Sequence, residues 1–182
     1  MVFTANFGAI SLLSDWKSQG AATTLVPQLK LDNVFADQCP SLLKVDVEGF
    51  ELMVMEGAQR TVSKCTPVLY IENNAKCRSK ELIHFVTSLG YTCHWIVTPY
   101  FSETNYRSRE EKLFPETINS INMLCYSRND AVSVQKAAKR LPDITKIDVS
   151  SGRYMLHEYS LSYTGKEGVV LSQEGTVDSC DR

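Results

Sequence analysis

The sequence predicts an α/β fold. Three observations carry that expectation: two short apolar runs ending in carboxylates, at residues 41–49 and 67–73; helical periodicity after each; and a size that suits one packed domain. The chain has 182 residues, 43% hydrophobic and 22% charged, which excludes disordered, collagen-like and coiled-coil classes. Nineteen basic against 21 acidic side chains leave a net charge of −2 and a pI near 5.9. That balance gives no footprint for nucleic acid and no electrostatic hold on an anionic membrane. No apolar run approaches the ~20 residues of a membrane span, and the N-terminus lacks the basic start and long apolar stretch of a secretory signal. Cys39, Cys65, Cys77, Cys93, Cys125 and Cys180 are scattered without a C-x-x-C pair. Such spacing points away from zinc and toward reduced thiols in a cytoplasmic protein, although an even count also permits disulfides.

The elements follow in order. Asn6 to Leu12 suits a short strand entered through a glycine turn, and Leu25 to Leu31, with Pro27, an edge strand or approach loop. Ser41 to Gly49 starts apolar and ends in acids and glycine; such a run suits a strand buried on both faces of a parallel sheet. From Phe50 the period changes. Phe50, Met53, Val54, Gly57, Ala58 and Thr61 share one helical face, with Glu51, Glu56, Gln59 and Arg60 opposite. Glu48 and Glu51 lie where the helix dipole favours negative charge, and Thr66-Pro67 ends the helix. Pro67 to Asn73 reads as the next strand. A second helix from Ser79, its expected N-cap, carries Leu82, Phe85, Val86 and Leu89 as its stripe and Gly90 as its C′ residue. Tyr91 to Val97 and Ser120 to Tyr126 are two further strands, separated by a polar and aromatic loop, Thr98 to Asn119. Residues 1–127 thus form the α/β domain. Residues 128–182, polar apart from a short helical stretch at Val134 to Leu141, read as a poorly packed extension.

Open α/β sheets bind ligands at the carboxyl ends of their strands. Asp46 and Glu48 end one strand, and Glu72 with Asn73 the next, so neighbouring strands would bring these groups to one crevice. Carboxylates placed so can take a proton from a hydroxyl, bind a divalent cation or orient a polar substrate. No spacing here is diagnostic of metal ligands, and no metal site is expected. His94 and Asn122, polar residues inside apolar strands, and Asn73 are candidate substrate contacts; a packed or locally satisfied role explains them as well. Tyr100, Phe101, Asn105 and Tyr106 could line an aromatic pocket or a solvated loop. A glycine-rich cofactor loop, a P-loop, G-x-S-x-G and H-E-x-x-H are all absent from the sequence.

Several segments taken together are more specific. Lys44-Val45-Asp46-Val47-Glu48-Gly49-Phe50-Glu51, then Glu56-Gly57-Ala58, then Pro67-Val68-Leu69-Tyr70-Ile71-Glu72, resemble the FkbM family of S-adenosylmethionine-dependent methyltransferases. Asn6 to Leu12, Leu31-Asp32 and Asn122-Met123-Leu124 match further family segments in the same order, so the resemblance covers residues 6–126. It implies a Rossmann-like class I methyltransferase fold and methyl transfer from S-adenosylmethionine to a hydroxyl oxygen of a small molecule or sugar. It places Asp46, Glu48 and Glu72 near the transfer site, with Asp46 or Glu48 orienting or deprotonating the acceptor. The family's cofactor loop, D-x-G-A-N-x-G, belongs upstream of the Asn6 segment. The resemblance therefore implies an incomplete fold, the later strands and helices only, with no cofactor-binding residue assignable in this chain. It also implies an exposed sheet edge open to self-association. The alternative expectation is a non-catalytic interaction module.

Overall fold

Alternating burial along the strands, rather than continuous burial, organises the molecule. In this computed structural model residues 27–74, 76–100, 106–107, 119–130, 144–147, 149, 159–163 and 169–173 are described. Residues 27–30 are irregular and lead into a single helical turn, α1 (Leu31–Val34). Then come β1 (Leu42–Val45), α2 (Glu51–Glu56), α3 (Gln59–Cys65), β2 (Val68–Glu72), α4 (Lys76–Ser88), β3 (Tyr91–Pro99) and β4 (Asn119–Ser127). β5 (Ile144–Lys146) follows, and β6 (Tyr159–Tyr163) pairs with β7 (Val169–Gln173) as a separate antiparallel ribbon. The main sheet has the order β1-β2-β4-β3-β5. β1 and β2 are parallel and the remaining pairs antiparallel, so the chain is an α/β protein with a mixed sheet.

The register sorts the side chains. Leu43, Leu69, Cys125 and Cys93 form one row across the sheet, and Val45, Ile71, Met123 and Trp95 the next. Both rows are buried in one core with Met55, Ala58 and Val62 of the α2–α3 segment and Leu82, Ile83 and Val86 of α4. Fully burying a side chain of this kind stabilises by about 1.5–3 kcal/mol. The opposite face carries Lys44, Tyr70, Leu124 and His94 in one row, then Glu72, Asn122 and Ile96. β1 is therefore not buried on both faces as expected. It alternates, with Leu42 59% exposed and Lys44 exposed, because successive strand residues point to opposite sides.

The expected helix from Phe50 to Thr61 is two helices. The break at Gly57-Ala58 is held by Asp32, whose N–H donates to the Gly57 carbonyl at 2.9 Å. The Asp32 carboxylate accepts the N–H groups of Arg60 (3.1 Å) and Thr61 (2.8 Å) and the Thr61 hydroxyl (2.9 Å). It thus caps α3 from 28 residues away in sequence; burial opposes ionisation, but these donors outweigh it and hold the carboxyl below its ordinary range. α4 begins at Lys76, and Ser79 is buried within it instead of capping it. Gly90 has φ +86°, as its C′ role requires. Residues 27–30 fit the approach loop, not a strand. The expected strand at 6–12 and helix at 134–141 lie outside the described residues.

The thiol reading is overturned. Cys39 is bonded to Cys65, and Cys93 to Cys125. Sequence spacing could not show this, because each pair is made by the fold: Cys65 ends α3 beside the segment after α1, and Cys93 faces Cys125 across β3 and β4. Disulfides of this kind persist in oxidising surroundings. β5 pairs with β3 in the main sheet, and Ile147 is 5% exposed in the core. Among the described residues, no helix is long and apolar enough to cross a membrane.

Candidate functional site

The turn after β1 positions the first acids. Asp46 leaves the strand, and Glu48 (φ +52°) and Gly49 (φ +94°) are consecutive left-handed residues that swing the chain into α2. Left-handed backbone costs a non-glycine residue roughly 1–2 kcal/mol, so something must hold Glu48 there. The Glu51 carboxylate does so: its Oε1 accepts the N–H groups of Val47 (3.2 Å) and Gly49 (3.0 Å). Glu51 is itself only 5% exposed. Space does not decide the need for glycine at 49, since a Cβ there would meet nothing within 4 Å; the positive φ does.

The parallel register sets Val45 beside Ile71, so Asp46 and Glu72 come side by side at the carboxyl ends of β1 and β2. Their carboxyl groups share a hydrogen bond. Lys44 Nζ lies 2.7 Å from Asp46 Oδ2, an ion pair between residues two apart on the same strand face. On the other side, Asn74 Nδ2 donates to Glu72 Oε1, while Asn74 Oδ1 accepts the Ile121 N–H at 3.1 Å. The row continues to Asn122, opposite Glu72 in the register and 6% exposed, whose Nδ2 donates to Ser120 Oγ at 2.8 Å.

The two carboxyls are pushed apart. Lys44 donates to Asp46 and holds it below the usual carboxylate range despite partial burial. Glu72 is raised to about 7, first by burial, then by the charge of Asp46 and their shared hydrogen bond, then by Glu48 and Glu51. Near pH 7 Glu72 is thus about half protonated beside an ionised Asp46. A pair of acids whose environments separate them can hold and pass a proton near pH 7.

Of the expected site residues, Asp46, Glu72 and Asn122 come together in one row, with Glu48 in the adjoining turn. Asn73 does not join them: it is buried toward the core, its Nδ2 3.2 Å from Met123 Sδ. His94 lies in the neighbouring row, stacked on Tyr126 with ring centroids 5.5 Å apart. Tyr100 and Tyr106 are exposed, and Phe101 and Asn105 lie outside the described residues. Sequence reasoning gave Lys44 and Asn74 no role at the site and gave Glu51 only a place at the helix dipole. Lys44 was legible, because i and i+2 share a strand face; Asn74 and Glu51 act through folded contacts and left no such signal. Among the described residues, no group of three or more His, Cys, Asp or Glu side chains could hold a metal ion.

An apolar groove of about 810 Å³ flanks β1, walled by Leu43, Val45, Val47, Phe50, Met53 and Val54, with Lys30 and Lys44 at its polar side. Its size lies within the range of small-molecule sites.

No curated protein and no solved structure matches the chain. The model of the methyltransferase FkbM domain matches residues 4–93. The matched segment contains Asp32, the turn from Asp46 to Glu51 and the β2 end at Glu72, but not His94 or Asn122. Over residues 4–93 this chain is thus similar to the methyltransferase FkbM domain.

Proposed function

We propose that the chain serves in S-adenosylmethionine-dependent O-methylation of a small molecule or sugar, within a Rossmann-like class I methyltransferase fold. The observation that carries this reading is the Asp46–Glu72 pair: one carboxylate kept ionised by Lys44, the other near pH 7 at the end of the adjoining parallel strand. A donor set rich in carboxylates fits a cationic sulfonium and its ammonium group, and the apolar groove beside β1 fits less polar parts of a ligand. Asp46 and Glu48 would hold the cationic portion. S-adenosylmethionine, when bound, supplies an electrophilic methyl group. Glu72 in its ionised form takes the proton of the acceptor hydroxyl, Asp46 accepts the hydrogen bond that then forms, and Asn74 keeps the Glu72 carboxyl oriented. Asn122, in the same row, borders the acceptor.

The test is transfer of a labelled methyl group from S-adenosylmethionine to a panel of hydroxylated small molecules and sugars. Wild type is expected to label an acceptor, and Glu72→Gln to lose about 10²–10⁴-fold in kcat while binding S-adenosylmethionine with similar affinity. Equal turnover by the two proteins contradicts the role of Glu72. A second reading, an interaction module that self-associates, is favoured by β1 lying at the end of the sheet order with Leu42 59% exposed. Light scattering across a concentration series separates the two: a monomer throughout removes this alternative.

A further inference from the structure

We propose that Glu51 is a positioning residue for the acid pair: its buried carboxylate fixes the Asp46–Gly49 turn and so sets where Asp46 and Glu48 stand against Glu72. The proposal deepens the reading of Asp46 and Glu72 as the proton-handling pair and rests on it only for its consequence in catalysis. Glu51 sits in the first turn of α2, where an acid commonly does no more than complement the helix dipole. A dipole role needs no burial and no particular oxygen. Here one oxygen, Oε1, receives two backbone N–H groups, of Val47 and Gly49, from residues on either side of Glu48. The side chain is 5% exposed. These two donors flank the left-handed residue Glu48, and without an acceptor they would be unpaired. The carboxylate therefore stabilises a backbone path that the local sequence disfavours. That path turns the chain directly after Asp46, which the β1–β2 register sets beside Glu72, and brings Glu48 close enough to act on Glu72. The charged groups around Glu72 are Asp46 and Glu48 from the β1–α2 turn, Glu51 from the first turn of α2 and Lys44 from β1, and Asn74 donates to it from the β2 end.

The test reads the turn and the acid pair separately from methyl transfer. Amide hydrogen exchange at Val47 and Gly49 and carboxyl NMR titration of Glu72 are recorded for the full chain and for Glu51→Gln, Glu51→Asp and Glu51→Ala. Glu51→Gln keeps a carbonyl oxygen that can accept both N–H groups, so exchange stays within about threefold of wild type. Glu51→Asp keeps the charge but draws the oxygen back by one methylene, and Glu51→Ala removes it; exchange at both amides rises about tenfold or more in each. The Glu72 midpoint moves down in Glu51→Ala, and kcat falls there more than in Glu51→Gln, with KM for the acceptor changing less. Should Glu51→Ala not fold, Glu51→Asp against Glu51→Gln carries the same comparison. Wild-type exchange at Val47 and Gly49 in Glu51→Asp overturns the proposal. Absence of methyl transfer by wild type overturns the functional reading and leaves the exchange and titration results to judge Glu51.

Discussion

Replacing both Cys39 and Cys65 by serine tests the covalent part of the fold. The bond closes a segment of 26 residues, which in the loop-closure account removes about 12 cal/mol/K from the unfolded chain, or about 3.5 kcal/mol at 25 °C. Cys39 is exposed and Cys65 only half-buried, so little packing is lost and the entropy term dominates. Urea unfolding of wild type and Cys39→Ser/Cys65→Ser, both without reductant, reads the difference. With a slope of about 2 kcal/mol per molar urea the midpoint falls by roughly 1.7 M. Reductant should lower the wild-type midpoint further, because the Cys93–Cys125 bond, spanning 32 residues, is lost as well. Coincident midpoints for wild type and the double variant would refute the reasoning. So would alkylation of Cys39 and Cys65 in the folded, unreduced protein.

Other consequences are smaller but as specific. Asp32→Ala removes the side-chain acceptor for the N–H groups of Arg60 and Thr61, and should cost about 1–2 kcal/mol in thermal or urea unfolding; Asp32→Asn should recover part of it. Gly49→Ala forces a Cβ onto φ +94° and should destabilise by about 1–2 kcal/mol although no atom is in its way; no loss would show that the turn relaxes freely. Glu72 has a folded pKa raised from 4.5 to about 7, so the folded state holds the proton more tightly. Its contribution to stability is full below about pH 4.5 and is lost as pH rises toward 7. Since the group is only partly buried, solvent screening reduces that contribution to about 1 kcal/mol. Glu72→Gln should flatten this part of the stability profile between those pH values, and an unchanged slope would count against the assignment.

Much of the fold was legible because it depends on local periodicity. The runs at 41–45 and 67–73 announced β1 and β2, and the stripe Leu82, Phe85, Val86, Leu89 announced α4, since each element buries one regular face. The departures share a cause: side chains acting across long sequence distances. The single helix expected from Phe50 became α2 and α3 because Asp32 supplies a cap from another segment. The cysteines looked unpaired because Cys93 and Cys125 meet only through the antiparallel register of β3 and β4. At the site, Asp46 and Glu72 could be placed together from two strands ending in acids. Their separation in acidity could not, for it depends on Lys44, on partial burial and on the turn that Glu51 holds. Asn73, adjacent to Glu72 in sequence, turned instead to the core and Met123, as a one-residue step along a strand end requires.

Proton handling at the site requires the two carboxyl groups to titrate apart at the ends of β1 and β2. The most direct measurement is a carboxyl-resolved NMR titration of wild type and Asp46→Asn. A Glu72 midpoint near 7 that moves down when the Asp46 charge is removed is the predicted result. A midpoint in the ordinary glutamate range in wild type, unmoved by Asp46→Asn, would contradict it.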